Sequence, residues 1–315
     1  MPLTEFHGPY ADLLYEYVSF RQALGFVVPP STRRTLHHIA DYLYTLPLVP
    51  EIIDRERADE IAAARAGESG RTRQSRFVAL RQLCLWLRRC GYDSYVPPAG
   101  LVRARNDFVP RIVGEDEMAR ILEVAESGTL PWVPMVLKLL WCTGIRVGEA
   151  SSLRVGDLDL SAETMYVAHA KNDRSRIIPI SRSLASATAA YLDGHASDTR
   201  PEARLFPGRP SSAHRNKVAV GNRLRMVYRD AGVLRPDGTP IRTHDLRHSF
   251  AVRALENMAA RGRDVYVTLP LLSAYMGHAN IFDTEYYLRL LPSAHQSIVD
   301  AEAPVSRAVF GGGPS

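Results

Sequence analysis

The chain has 315 residues, 46% hydrophobic and 23% charged, which is typical of a soluble globular protein with length for about two domains. It has no run of about 18 apolar residues and no basic-then-apolar leader, so we expect no membrane span and a cytoplasmic location. The net charge of +5 favours an anionic partner. Three isolated cysteines, Cys84, Cys90 and Cys142, argue against a disulfide framework and a zinc site.

Residues 1–96 predict a small all-helical domain. Glycines and prolines separate segments in which apolar residues recur at helical spacing. These segments are approximately 10–24, 31–43, 54–66 and 72–90. The first is expected to bury Leu13, Tyr17, Phe20 and Leu24, and the fourth Phe77, Leu80, Cys84 and Leu87.

The fourth segment is strongly basic. It holds six arginines and no acid between Arg71 and Arg89. Residues 97–111 follow as a linker that contains prolines, a glycine and further arginines but no helical period. This basic surface suits an anionic polymer, and a solvated arginine face is the alternative. The candidate contact residues are Arg73, Arg76, Arg81, Arg88, Arg103 and Arg105.

Residues 112–291 predict a larger and mostly helical domain. A nearly all-apolar helix, about 132–142, leads into the segment Thr143-Gly-Ile-Arg-Val-Gly-Glu149. Arg146 therefore follows a glycine turn at the end of a buried helix. A charge in such a position needs a partner, for which Glu149 and a bound phosphate are the candidates.

A β-hairpin is predicted after this segment. Two β-rich runs, 164–168 and 176–180, flank a turn-like loop that contains Lys171. Lysine occurs at only three positions in a chain whose other basic residues are arginines. A hairpin lysine could simply be solvated, but its retention in so arginine-rich a chain is unusual.

The segment Thr243-His-Asp-Leu-Arg-His-Ser-Phe250 predicts the start of a helix. His244, Arg247 and His248 then lie on one face at intervals of three and four residues. Arginine binds phosphate oxygens bidentately, and the helix N-terminus favours an anion. The cluster therefore suggests a phosphate site, and a solvated polar face is the alternative.

The last predicted elements are two short helices. The first, about 269–276, is ended by Gly277 and followed directly by His278. The second, capped by Asp283 or Thr284, contains Tyr286 and Tyr287. Residues 292–315 form a tail with few apolar residues.

These segments together resemble the tyrosine recombinases, the phage-integrase family. The segment 143–149 is similar to the family's first arginine box, His244-Asp-Leu-Arg-His248 to its His-x-x-Arg box, and Met276-Gly-His278 to its Leu-Gly-His box. Lys171 matches the hairpin lysine, and Tyr287 lies nine residues after His278, the family spacing for the nucleophile. The resemblance covers roughly 10–291.

The resemblance implies a fold and a reaction. The fold would be mainly α (α+β), with an all-helical core-binding domain (1–96), a linker (97–111), a mostly helical catalytic domain with a small antiparallel sheet (112–291) and a tail (292–315). The catalytic residues would be Arg146, Lys171, His244, Arg247, His278 and Tyr287. Glu149 and His248 would orient the arginines.

The implied chemistry replaces a DNA phosphodiester by a 3′-phosphotyrosine ester. Arg146, Arg247 and His278 would stabilise the phosphoryl oxygens, Lys171 would protonate the leaving 5′-oxygen, and His244 would accept the proton of Tyr287. We expect no nucleotide cofactor, because bond energy is kept, and no metal, because no His, Asp or Glu cluster has metal-ligand spacing.

The partners implied are double-stranded DNA and further recombinase subunits. A homo-oligomer on DNA, from dimer to tetramer, is expected, with other recombinases as additional subunits in a multi-recombinase mobile element. Two other functions remain open at this point. One is a non-catalytic DNA-binding accessory subunit on the same fold, and the other is a type IB topoisomerase-like activity.

Overall fold

The computed structural model describes residues 6–45, 53–104, 110–168, 175–195, 198–208, 215–278 and 280–290. Lys171, Arg105 and the tail 292–315 lie outside these ranges. The chain divides into two compact units, Met1–Phe108 and Val109–Ser315, and the division falls within 97–111. Within the described ranges, the helices are too short or too polar to cross a lipid bilayer.

The first unit consists of four helices. They are α1 (Ala11–Ala23), α2 (Pro30–Tyr44), α3 (Arg55–Ala62) and α4 (Gly70–Arg89). Side-chain caps define two of the starts, because Asp54 accepts from the backbone N–H of Arg57 and Ser69 accepts from that of Thr72. All four predicted helices are therefore present, with ends shifted by a few residues.

The core of the first unit follows the predicted apolar stripes of α2 and α4. Its central members are Leu36, Ile39, Leu80, Cys84 and Leu87. The predicted stripe of α1 is partly wrong, since Leu14, Tyr17 and Val18 are the buried residues and Leu24 is exposed. The reason is that α1 ends at Ala23, so Leu24 leaves the helical face.

Arg76 is buried and is therefore not part of the predicted basic surface. Its side chain is 5% exposed. Its Nη2 atom donates to Glu68 Oε2 at 2.5 Å and to the carbonyl of Ala63 at 2.9 Å. The sequence of α4 gave no sign of this ion pair, because the helix contains no acid and Glu68 lies just before it. Of the other candidates, Arg88 and Arg103 are exposed, whereas Arg73 and Arg81 are partly buried.

The start of the predicted linker belongs structurally to the first unit. Val102 is buried in a cluster with Ala62 and Phe77. The carbonyl of Pro97 accepts a hydrogen bond from Arg81 Nε at 2.9 Å. Residues 97–102 are therefore held by apolar packing and hydrogen bonding rather than free as a spacer.

The second unit is mostly helical with one small sheet. Its α-helices are α5 (Glu115–Glu126), α6 (Trp132–Thr143), α7 (Val147–Ser152), α8 (Arg182–His195), α9 (Lys217–Asp230), α10 (Thr243–Ala260), α11 (Val265–Met276) and α12 (Phe282–Glu285). Short 3₁₀ helices cover Val155–Asp157 and Tyr286–Leu290. The mainly α fold with a small antiparallel sheet is confirmed.

The sheet has the order β1 (Leu158–Asp159), β2 (Thr164–Val167) and β3 (Arg176–Pro179), and both pairings are antiparallel. Met165 pairs with Ile178, and both are buried. Their neighbours Tyr166 and Ile177 are exposed, which gives the alternation expected of a sheet with one covered face.

Two apolar clusters surround α10 and fix its position. Leu246 joins the large cluster that contains α6, whose residues Val136, Leu137 and Leu139 are completely buried. Further along α10, Ala251 and Leu255 pack in a second cluster with Leu272, Met276 and Tyr287. Helix α10 thus packs between α6 on one side and the segment from α11 to Tyr287 on the other.

The Arg76–Glu68 pair gives a test of the first unit. Replacing Glu68 with Gln leaves a buried guanidinium without its counter-ion, so we expect the free energy of unfolding to fall by about 2 kcal/mol at neutral pH. The hydrogen bond and charge of Arg76 lower the pKa of Glu68. The carboxylate therefore contributes stability above the unfolded pKa of about 4.3, and this contribution is lost as pH falls through the lower folded value.

Urea unfolding of the full chain at a series of pH values measures this difference. The exposed Glu16 on α1 is the matched control, because Glu16→Gln removes the same charge where there is no buried partner. An equal loss in both variants, or a loss in Glu68→Gln that does not shrink below about pH 4, would contradict a buried ion pair.

Candidate active site

Two helices in the second unit end at glycines whose backbone is in the left-handed conformation. Gly144 follows α6 with φ +61°, and Gly277 follows α11 with φ +68°. A Cβ atom at Gly144 would lie 2.3 Å from Phe250 Cδ1, and one at Gly277 would lie 2.7 Å from Arg176 Nη1. Both positions therefore need glycine for backbone conformation and for space.

Arg146 and Arg247 bind the carbonyl groups at these helix ends. Arg247 donates from Nη1 to Gly144 O at 2.6 Å and from Nη2 to Met276 O at 2.8 Å. Arg146 donates from Nη2 to Gly277 O at 3.1 Å. The last carbonyls of a helix have no partner within the helix and carry partial negative charge, so they suit a guanidinium group. The two arginine boxes are thus brought together by the same pair of helix ends.

Arg247 keeps its positive charge although it is buried. Its side chain is 2% exposed. Burial, followed by the charge of Arg146, lowers the pKa of Arg247 to about 10. Arg247 therefore remains cationic at neutral pH.

Glu149 binds Arg146 as predicted and also binds a second arginine. Arg146 Nη1 donates to Glu149 Oε1 at 2.8 Å, and Arg176 Nη2 donates to Glu149 Oε2 at 3.0 Å. Burial raises the pKa of Glu149, but the hydrogen bonds from Arg176 and Arg146 outweigh this effect and lower it overall. Glu149 is thus a fixed carboxylate between two guanidinium groups.

Arg176 was missed in the sequence. Its Nε donates to Tyr275 O at 2.7 Å, which connects β3 to α11. A signal was present, because alternation along β3 places Arg176 on the same face as the buried Ile178. A charge on the covered face of a strand requires a partner, here Glu149.

The histidines lie around this arginine cluster. His278 is half-buried, and its Nδ1 is 2.7 Å from the buried Thr284 Oγ1. His244 is exposed and makes an edge contact with the ring of His248, with 4.6 Å between centroids. Burial, then the charges of Arg247 and Arg146, lower the pKa of His278 to about 3. His278 is therefore neutral at pH 7.

Tyr287 is the buried tyrosine of the adjacent pair. Its side chain is 2% exposed, whereas Tyr286 is half-buried. The predicted last helix is altered here, since α12 ends at Glu285 and a 3₁₀ turn carries both tyrosines. Burial raises the pKa of Tyr287 to about 12, although Arg247 opposes this effect.

His248 contacts Tyr287, the predicted nucleophile. Its Nδ1 lies 3.0 Å from the Tyr287 hydroxyl, and both side chains are buried. Burial, then His244 and Arg247, lower the pKa of His248 to about 3. The sequence analysis did not foresee this contact, which arises because the 3₁₀ turn after α12 brings Tyr287 against α10 at this position.

The arrangement is suited to binding a phosphate. Three guanidinium groups against the single carboxylate of Glu149 leave an excess of two positive charges among these residues. Anions are attracted to such a site, and guanidinium N–H groups match phosphate oxygens geometrically. A tyrosine hydroxyl in the same cluster adds a nucleophile.

One group in the first unit has the geometry to hold a metal ion. His7, His37 and Asp41 each offer a ligand atom, and these atoms lie within 4.8 Å of one another in the described residues. The expectation that no cluster has metal-ligand spacing missed this group, because His7 and His37 are 30 residues apart in the chain. The group belongs to the first unit, whereas the arginine cluster belongs to the second.

Comparison with known proteins agrees with this geometry. Residues 111–293 match the profile of the phage integrase family. The chain is 30% identical over 264 residues to tyrosine recombinase XerC of Xylella fastidiosa, covering 81% of this chain and 83% of the relative.

Solved structures share the fold. The integrase of transposon Tn1549, in complex with transposon right end DNA, gives a TM-score of 0.67 at 16% identity and covers 91% of this chain and 98% of its own. The XerH site-specific recombinase bound to a palindromic difH substrate gives a TM-score of 0.63 at 18% identity. The match covers 86% of this chain and 77% of the XerH chain. The family profile, the XerC likeness and the clustered boxes agree, and the chain belongs to the phage integrase family of tyrosine recombinases.

Proposed function

We propose that this tyrosine recombinase uses Tyr287 to cleave and rejoin DNA strands during site-specific recombination, through a 3′-phosphotyrosine intermediate. In the forward step, Tyr287 Oη bonds to the scissile phosphorus and the bond to the 5′-oxygen breaks. The observation that carries this proposal is the position of Tyr287 beside the two arginine boxes. Its hydroxyl lies 3.0 Å from Nδ1 of His248, the residue after Arg247. Its ring stacks on His278, the residue after the glycine whose carbonyl binds Arg146. Because one ester replaces another, no nucleotide cofactor is required.

Arg146 and Arg247 would stabilise charge on the phosphoryl oxygens. Each keeps N–H groups beyond those that bind the helix-end carbonyls, since guanidinium has five. Groups fixed before the substrate arrives do not have to reorganise during the reaction. His278, held by Thr284, would donate to the same oxygens.

Lys171 would protonate the leaving 5′-oxygen. It lies in the loop between β2 and β3, outside the described residues. This proposal is supported by Arg176, the first residue of β3, which follows Lys171 by five positions in the chain and binds Glu149 in the arginine cluster. An ammonium group can release a proton, whereas a guanidinium group cannot.

DNA would be the substrate, as for the two DNA-bound recombinases of similar fold. In the first unit, the exposed Arg88 and Arg103 are the favoured phosphate contacts, with Arg73 and Arg81 partly available and Arg105 a further candidate outside the described residues. Phosphate contacts of this kind make binding sensitive to salt. We propose that the protein acts in the cytoplasm, on the DNA that lies there.

We further propose that the protein forms a homo-oligomer on DNA. One face of α11 exposes Tyr266, Val267 and Leu271, each of which is between 68% and 71% accessible as a residue. Their spacing places them within one side of the helix. A contiguous exposed apolar face indicates an interaction surface. The tail of a second copy would cover this face with its apolar residues, which are Ile298, Val299, Val305, Val309 and Phe310. In a mixed assembly, another recombinase would cover the face instead.

The nucleophile assignment is tested by trapping the covalent complex. The full chain is incubated with nicked duplexes that tile the genomic DNA flanking its gene, together with nicked duplexes of random sequence. Detergent then removes DNA that is not covalently bound, and peptide mapping locates the attached phosphate. We expect it on Tyr287. Tyr287→Phe should bind DNA but form no adduct, and Tyr286→Phe should still form one.

An adduct on Tyr286, or one that survives Tyr287→Phe, would overturn the assignment. DNA binding by the wild type without any adduct would favour a non-catalytic accessory subunit. Relaxation of supercoiled DNA without joining of two duplexes would favour a type IB topoisomerase.

Lys171→Arg tests the proton donor. The charge is kept but the transferable proton is lost, so we expect near-normal DNA binding and cleavage slowed by about 100-fold or more. A substrate with sulfur at the 5′-bridging position, which leaves without a proton, should restore the rate. The same substrate with Arg247→Lys is the control, because a lost phosphate contact should not be rescued. Persistence of the Lys171→Arg defect would exclude the general-acid role.

Deletion of 293–315 tests the oligomer. We expect single protomers to bind DNA normally but strand exchange to fall, because the tail no longer covers a neighbour. Leu271→Ser on α11 should reproduce the defect, and Ser273→Ala, on a buried part of the same helix, should not. Unchanged recombination by the truncated protein would refute this role.

A further inference from the structure

The Tyr287 hydroxyl has a hydrogen-bond partner that the predicted mechanism did not use. Among the described residues, this partner is His248, whose Nδ1 atom lies 3.0 Å from Tyr287 Oη. His244, the residue expected to accept the tyrosine proton, is exposed and contacts the His248 ring rather than the phenol. We propose that His248, and not His244, is the catalytic base that accepts the Tyr287 proton. This inference rests on the proposed function of Tyr287.

Packing holds the two groups in this contact. Tyr287 is buried with Ala251 and Leu255, which follow His248 along α10. The His248 and Tyr287 rings are tilted at 57° with centroids 5.5 Å apart. A general base must lie within hydrogen-bond reach of the proton that it removes, and His248 meets that requirement before DNA is bound.

The proposed step is balanced within the site. Tyr287 Oη forms the bond to phosphorus while its proton moves to the lone pair of His248 Nδ1, and the bond from phosphorus to the 5′-oxygen breaks. The leaving oxygen takes its proton from Lys171. Rejoining reverses each transfer, so His248 returns its proton to Tyr287 and no other reactant is consumed.

DNA would increase the basicity of His248. In the free protein, burial and the neighbouring His244, Arg247, His278 and Arg235 keep His248 neutral, with a low pKa. A phosphate bound to Arg247 and Arg146 brings negative charge that offsets the guanidinium groups. An anion favours the protonated form of a nearby imidazole. The base would therefore become effective when the scissile phosphate is in place.

His248→Asn separates proton transfer from positioning. The asparagine Oδ1 can accept a hydrogen bond from Tyr287 in the place of Nδ1, but it cannot take the proton. The measurement is the single-turnover rate of adduct formation by the full chain, on the nicked DNA recovered by covalent trapping, between about pH 7 and about pH 9. His244→Asn is the matched control one turn away on α10.

We expect His248→Asn to slow adduct formation by about 100-fold or more at neutral pH. Its rate should rise by about tenfold per pH unit, because hydroxide must replace the base, while the wild-type rate levels off. A 5′-sulfur substrate should not rescue it. His244→Asn should be slower than the wild type but keep the wild-type pH dependence. A His248→Asn rate within a few-fold of the wild type, or the hydroxide dependence in His244→Asn instead, would overturn the proposal.

Nitrogen NMR of the DNA-free protein with labelled histidine tests the contact independently. We expect His248 Nδ1 to be unprotonated and its shift to move in Tyr287→Phe. A proton on Nδ1 would make His248 a donor to the phenol and would refute the proposal. Failure of the wild type to form any adduct would refute the function proposed for Tyr287, and the NMR result would still decide the direction of the hydrogen bond.

Discussion

The site depends on guanidinium groups bound to the carbonyl ends of two helices. Helices α6 and α11 stop at left-handed glycines, and the carbonyls of Gly144, Met276 and Gly277 face Arg247 and Arg146. Backbone acceptors at the end of a packed helix are rigid, so they fix the guanidinium groups without using a carboxylate for each. The remaining N–H groups are left for a substrate anion.

The balance of charge explains why the site should favour phosphate. Glu149 is shared by Arg146 and Arg176, so it compensates only part of the positive charge. His248 and His278 are neutral and the nucleophile is protonated, because burial and positive charge lower the pKa of these histidines while burial raises that of Tyr287. A bound phosphate would relieve the excess positive charge and assist proton transfer within the same cluster.

Much of this arrangement could be predicted from the sequence, and the errors have physical causes. Apolar periodicity identified α4, α6 and the stripe of α2, since burial drives those elements directly. The segments that contain Arg146, Arg247 and Tyr287 identified the family, because together they resemble its boxes in order and spacing. Arg76, Arg176 and His248 were misplaced or missed, because their partners Glu68, Glu149 and Tyr287 are set by tertiary packing. Local patterns show that a charge or imidazole needs a partner, but they do not choose among distant ones.

A crystal structure of the full chain, trapped on nicked DNA as the covalent intermediate, tests the central claim most directly. If the helix ends fix the guanidinium groups before DNA binds, the phosphorus should be bonded to Tyr287 Oη and its free oxygens should contact Arg146 and Arg247. Both arginines should keep their hydrogen bonds to the carbonyls of Gly144, Met276 and Gly277. A phosphate attached elsewhere, or arginines that leave the helix ends to reach it, would contradict the claim that these helix ends prepare the site.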